Sequence, residues 1–109
     1  MDPRTAFEMA EAGDPIIDVR TRAEYERRHI AGALNIPIDT LPGALAMLEV
    51  DGPVLTACTY GNRGGRAAEL IALSGRTAFS IEGGTHAWQQ AGLPVVNGPA
   101  PGRRLHPRP

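Results

Sequence analysis

The one cysteine of the chain, Cys58, is followed by Thr59, Tyr60, Gly61, Asn62 and Arg63. This segment joins the apolar run Val54-Leu55-Thr56-Ala57, which has strand character, to an amphipathic helix over residues 66–74 whose apolar face is Ala67, Leu70 and Ile71. A loop between a strand end and a helix start can curl so that successive N–H groups point inward. The positive end of the following helix, beginning near Gly64, adds to that field. Such a ring of donors binds an anion, and Gly61 permits the backbone curvature it demands. Between Cys58 and Arg76 three arginines stand against one acid, a local charge of +2. That setting favours an ionised, nucleophilic sulfur. The competing reading, a free cysteine buried as a small hydrophobe, fits a strand–loop–helix junction less well.

Other chemistries are excluded by what is missing. All 11 basic residues are arginines, so there is no lysine for a Schiff base or a Walker-type phosphate loop. A single cysteine rules out an intramolecular disulfide and a thiolate-rich zinc site. His29, His86 and His106 are too far apart in sequence for a ligand pattern. Neither a metal nor any other cofactor is expected.

The elements that must carry Cys58 alternate between extended and helical patterns. A helix is expected over residues 5–11, broken by Gly13-Asp14-Pro15, then a short strand at Ile16-Ile17-Asp18-Val19. Thr21 with Glu24 makes a capping-box pattern for a helix running to about Arg28. Ala33-Leu34-Asn35-Ile36 is a second extended run. Asp39 or Thr40 precedes a helix through about Glu49, with Pro42 in its first turn. After the cysteine loop, Thr77 to Ile81 alternates with Phe79 and Ile81 on one side, and a short helix around Trp88 follows Glu82-Gly83-Gly84. Strands separated by helices imply right-handed crossovers and a parallel sheet, whose ligands bind beyond the carboxyl ends of the strands. Asp18, Cys58 and Glu82 all fall at such ends, on one rim.

The pattern Cys58-x-x-Gly61-x-Arg63 resembles the active loop of the rhodanese homology domain, the thiosulfate and persulfide sulfurtransferases. Further blocks resemble it in the same order: Asp18-Val19-Arg20 with Glu24-Tyr25, then His29-Ile30-Ala31-Gly32-Ala33-Leu34-Asn35-Ile36-Pro37, then Glu82-Gly83-Gly84 with Trp88 and Ala91-Gly92-Leu93-Pro94-Val95. The resemblance implies an α/β, three-layer domain with a small parallel sheet of four or five strands flanked by helices. It implies that Cys58 takes a sulfane sulfur from thiosulfate or a persulfide donor, that amides of Thr59, Tyr60, Gly61, Asn62 and Arg63 cradle the persulfide, and that cyanide, a thiol or a sulfur-carrier protein accepts the sulfur. No second cysteine is present to resolve the persulfide within the chain. Gly64 stands where members often carry Ser or Thr. Phosphatases and arsenate reductases on the same fold use a loop one residue longer; four residues separate Cys58 from Arg63 here. A persulfide needs room for one sulfur at about 2 Å, whereas a phosphoryl group needs tetrahedral oxygens and an arginine fork. The alternative to an active enzyme is a catalytically idle module used for binding or regulation.

The supporting residues are Asp18 and Arg20. A carboxylate near the end of an apolar strand needs a partner, and Arg63 is the expected one, fixing the loop. Arg20 is expected to pair with Glu24. His29 is expected to be a hydrogen-bonded structural histidine, His86 an exposed helical one, and Trp88 a packing residue.

At 109 residues and 42% hydrophobic content the chain is sized for one core, placed at residues 5–96. Residues 97–109 carry Arg103, Arg104 and Arg108 with several prolines and no acid, and are expected to be a disordered basic tail. The preceding 96 residues hold 8 arginines against 12 acids, a balance that argues against nucleic-acid binding. No apolar run approaches a membrane span and no signal-peptide core follows Met1, so no membrane partner and a cytoplasmic location are expected.

Overall fold

Ile16-Ile17-Asp18 and Val54-Leu55-Thr56-Ala57 are buried at every residue. Strands with no polar face require cover on both sides, which a parallel sheet between helical layers supplies. The computed structural model describes residues 1–47 and 52–102. Its strands are β1 (Ile16–Asp18), β2 (His29–Ile30), β3 (Leu34–Asn35), β4 (Val54–Ala57), β5 (Ala78–Ser80) and β6 (Val95–Val96). Its helices are α1 (Pro3–Glu11), α2 (Arg22–Arg27), α3 (Leu41–Leu45), α4 (Asn62–Leu73) and α5 (Gly84–Gln90). The main sheet has the order β3-β1-β4-β5, parallel throughout, with Asp18 in register with Asn35 on one side and Ala57 on the other.

Alternation along the strands divides the core in two. Ile16, Leu55 and Ala57 pack with Ala6 and Ala10 of α1, Tyr25 of α2 and Trp88 of α5. Ile17, Val54 and Cys58 pack with Leu41 and Leu45 of α3 and Ala67 and Ile71 of α4. The chain is thus an α/β domain with four parallel strands between helices, as its resemblance implied. Trp88 is buried, stacks edge-on against Phe7 and donates its indole N–H to the Pro94 carbonyl. No described helix is long and apolar enough to cross a membrane.

Several expectations need correction. α4 begins at Asn62 rather than near residue 66, because Gly61 at φ +109° turns the chain directly into the first helical turn. The helix expected to run to Glu49 is a 3₁₀ turn (Ile38–Thr40) leading into the five residues of α3; Glu49 lies outside the described residues. Phe79 is 38% exposed on the edge strand β5, whereas Ile81, past the strand end, is buried. The antiparallel pair β2–β6 has no periodicity to betray it, being two residues a side.

Residues 97–102, the described part of the segment expected to be a disordered tail, make contacts with the body. Gly98 donates its N–H to the Glu26 carbonyl, and Gly32 donates to Pro101. His29, fully buried, places one ring nitrogen on the Tyr25 carbonyl at 2.8 Å and the other on the Pro101 carbonyl at 3.1 Å. This is the structural histidine foreseen, but it seats a segment that composition alone marks as unstructured. Residues 103–109, with His106 and the three tail arginines, lie outside the described residues.

Candidate active site

Strand β4 delivers Cys58 to the sheet's carboxyl rim, and the chain then closes a tight turn into α4. Cys58 is recessed, 2% exposed, and its sulfur accepts the Gly61 N–H at 3.0 Å. The N–H groups of Thr59, Tyr60, Asn62, Arg63 and Gly64 have no backbone acceptor among the described residues; the last three belong to the first turn of α4, where no intrahelical acceptor exists. One amide therefore contacts the resting sulfur, and the neighbouring loop N–H groups carry no backbone partner. The free cysteine is buried, as the competing reading has it, and its sulfur accepts one loop N–H.

The outer side of the loop is held by α5. Thr85 donates its N–H to the Cys58 carbonyl at 2.7 Å, and His86 donates to Thr59 at 3.0 Å. This seating depends on Gly84: at φ +59° a Cβ there would lie 2.3 Å from the Cys58 oxygen. On the inner side, the Thr56 hydroxyl donates to the Gly64 carbonyl at 2.7 Å. Tyr60 is exposed at the mouth, its ring 5.2 Å from that of exposed His86.

Two ion pairs frame the site, and both partner assignments differ from expectation. Asp18 does not meet Arg63. It is fully buried and clasped by Arg20, whose Nε lies 3.0 and 3.1 Å from the two carboxylate oxygens and whose Nη2 lies 2.8 Å from Oδ2. Arg20 also donates to the Arg28 carbonyl at 2.6 Å, and its backbone N–H donates to Asp18. Asn35 ties the same corner by donating to the Asp18 and Arg20 carbonyls. Residues two apart in extended chain share a side, so the nearest arginine takes the carboxylate. Arg63 instead forms a two-pronged pair with Glu24, at 2.8 and 3.0 Å.

Glu24 is the residue whose importance to the loop the sequence reading missed. It completes the expected capping box with Thr21 and simultaneously anchors the loop arginine. Its place in a rim-facing first helical turn was the available signal. Arg63 pulls the Glu24 carboxyl from 4.5 down to about 2, and Glu24 in turn pushes Arg63 upward. A depressed folded-state pKa contributes stability that is complete above about pH 4.5 and disappears as pH falls toward 2. The side chains are 30% and 40% exposed, so solvent screening limits the pair to about 1 kcal/mol. Glu24→Gln keeps a capping side chain and removes only the charge. The urea-unfolding difference between wild type and this variant is expected to be about 1 kcal/mol at pH 6 and to close as the buffer is taken toward pH 2; a pH-independent difference would refute the assignment.

Thr85 carries the one buried side-chain oxygen or nitrogen without a hydrogen-bond partner among the described residues. An unpaired buried hydroxyl costs about 1–3 kcal/mol. Thr85→Val, which keeps the backbone contact to Cys58, is expected to raise stability by about 1 kcal/mol in urea melts; a loss would mean that the hydroxyl is bonded in solution.

A parallel-sheet domain that carries its one thiol at the carboxyl rim, in a tight turn between a buried strand and a helix, is an α/β fold built around a cysteine loop. Comparison with known proteins gives that class its name. The family model described as Rhodanese-like domain matches residues 2–91, and the chain belongs to that family. It is 37% identical over 91 residues to the HTH-type transcriptional regulator Rv0324 of Mycobacterium tuberculosis, covering 81% of this chain and 40% of that protein. It is 28% identical over 88 residues to the thiosulfate sulfurtransferase GlpE of Stutzerimonas stutzeri, covering 80% and 81% of the two chains. Among solved structures, a rhodanese-related protein from Thermoplasma volcanium superposes with a TM-score of 0.81 at 32% identity, over 88% of this chain and 95% of that one.

Proposed function

We propose that the protein is a sulfurtransferase that moves a sulfane sulfur through a persulfide on Cys58. The observation that carries this reading is the Gly61 N–H on the Cys58 sulfur, within a loop whose remaining amides are unclaimed. The thiolate attacks the outer sulfur of thiosulfate. A new S–S bond forms at Cys58, the old one breaks, and sulfite leaves with its electron pair. The ring of loop amides and the α4 dipole stabilise the negative charge that comes to rest on the outer sulfur. Asp18 and Arg20 hold the rim, and Glu24 holds Arg63, so that the ring is organised before the donor arrives.

The kinship to GlpE supports this reading. Commitment of Arg63 to Glu24 weighs against a phosphatase, which needs that guanidinium on phosphoryl oxygens. The kinship to a transcriptional regulator favours a second reading, a module that binds or regulates without turnover. Incubation with thiosulfate followed by intact mass measurement separates the two. A gain of one sulfur mass, removed by cyanide, supports transfer; no adduct with thiosulfate or an organic persulfide supports the idle module.

A further inference from the structure

Beside the loop opens a cavity of about 430 Å³, lined by Arg20, Glu24, Arg27, Arg28 and Thr59. Its charges do not cancel. Arg20 is spent on Asp18, and Glu24 is spent on Arg63. Arg22 and Glu26, the other charges of α2, pair with each other at 2.8 Å. Arg27 has no hydrogen-bond or ion-pair partner among the described residues. Arg28 donates to Gln89, a neutral amide, at 3.1 Å, which braces it against α5 without neutralising it. Two exposed arginines therefore line a cavity that shares Thr59 with the cysteine loop, and among the described lining residues no unpaired carboxylate answers them. The volume is more than ten times the ~30 Å³ share of one water, room for an organic molecule of several heavy atoms rather than a lone oxyanion.

We propose that this cavity is the subsite for the anionic end of a small organic thiol, whose carboxylates rest on Arg27 and Arg28 while its sulfur reaches Cys58. Guanidinium groups grip carboxylates in two-pronged geometry, and a cavity wall lowers the competing hydration. The inference builds on the sulfurtransferase reading and names the class of acceptor. The acceptor thiolate attacks the outer sulfur of the Cys58 persulfide, forming a new S–S bond. The bond from Cys58 to that sulfur breaks, its electron pair returns to Cys58 as thiolate, and the transferred sulfur leaves with the negative charge it carried in the loop. The products are an organic persulfide and the resting enzyme. Cyanide and neutral thiols carry no carboxylate for the arginines to grip in two-pronged fashion.

The test uses enzyme loaded with thiosulfate and two acceptors of similar reach, mercaptosuccinate with two carboxylates and 2-mercaptoethanol with none. Wild type is expected to transfer sulfur to mercaptosuccinate at least tenfold faster per unit thiolate, with a preference that shrinks as salt is raised. Arg27→Gln/Arg28→Gln is expected to lower that preference at least tenfold. A wild type that does not prefer the dicarboxylate, or a double variant that keeps the preference, overturns the subsite. Calorimetric titration with S-methyl mercaptosuccinate, which has both carboxylates and no thiol, separates the two readings. Binding by wild type that the double variant loses, in a protein that never loads sulfur, would uphold the subsite and sink the transfer reaction. Loading without such binding would do the reverse.

Discussion

Cys58→Ser is expected to reduce sulfur loading from thiosulfate by at least about a thousandfold, the scale on which removal of a sole nucleophile acts. A serine hydroxyl is not ionised at neutral pH and is a poor partner for a sulfane sulfur, so the ring of loop amides would have nothing to stabilise. The substitution is nearly isosteric and sits at the end of a fully buried strand, where Thr56 and the Thr85 contact to the Cys58 carbonyl remain in place. Circular dichroism and the thermal midpoint are therefore expected to show a folded domain. Intact mass after thiosulfate treatment is the direct measurement. Persistence of the adduct in the serine variant would remove Cys58 from the reaction and leave the loop a binding feature.

Asp18→Ala is expected to cost about 3–5 kcal/mol, the penalty for leaving one member of a buried ion pair behind. Asp18 is completely buried and Arg20 is 6% exposed, so the guanidinium would lose its main partner in a setting that water barely reaches. A domain this small has about 5–15 kcal/mol of total stability, and the variant is expected to be partly unfolded at ambient temperature. Removing both charges tests the cause. Asp18→Ala/Arg20→Met leaves no orphan charge and is expected to recover at least half of the lost stability in urea titrations. If the double variant is as unstable as the single one, the loss comes from the strand end itself and the ion-pair account is wrong.

These two effects come from features of unequal legibility. The strand leading to Cys58, the turn at Gly61 and the helix after it follow from local residue type, because burial on both faces and a left-handed glycine leave the chain few alternatives. The capping box of Thr21 and Glu24 was legible for the same reason. Ion-pair partners were not. Asp18 was matched to Arg63, and Arg20 to Glu24, on the ground that each needed an opposite charge on the same rim. In the fold the pairs are exchanged, since a carboxylate at the end of β1 reaches the arginine two residues on before it reaches one from another crossover.

The segment after Val96 shows the same division. Its prolines, glycines and lack of apolar periodicity describe a chain with no structure of its own, and that description is sound as far as local preference goes. Yet Gly98 donates to the Glu26 carbonyl of α2, and the Pro101 carbonyl meets the Gly32 N–H and the His29 ring. What composition measures is the inability of a segment to bury itself. It does not register a neighbouring surface that offers unpaired backbone groups.

Residue order alone thus determined the sheet, the junction that presents the thiol, and the family to which the chain belongs, because these rest on burial patterns and turn chemistry confined to a few neighbouring residues. Which guanidinium meets which carboxylate, that Arg27 and Arg28 line a cavity beside the cysteine loop with no anion of their own, and that Gly98 and Pro101 are hydrogen-bonded to the body were decided by the tertiary structure. Each depends on distances of a few ångströms between segments far apart in sequence, and electrostatic and hydrogen-bond energies change over that same range.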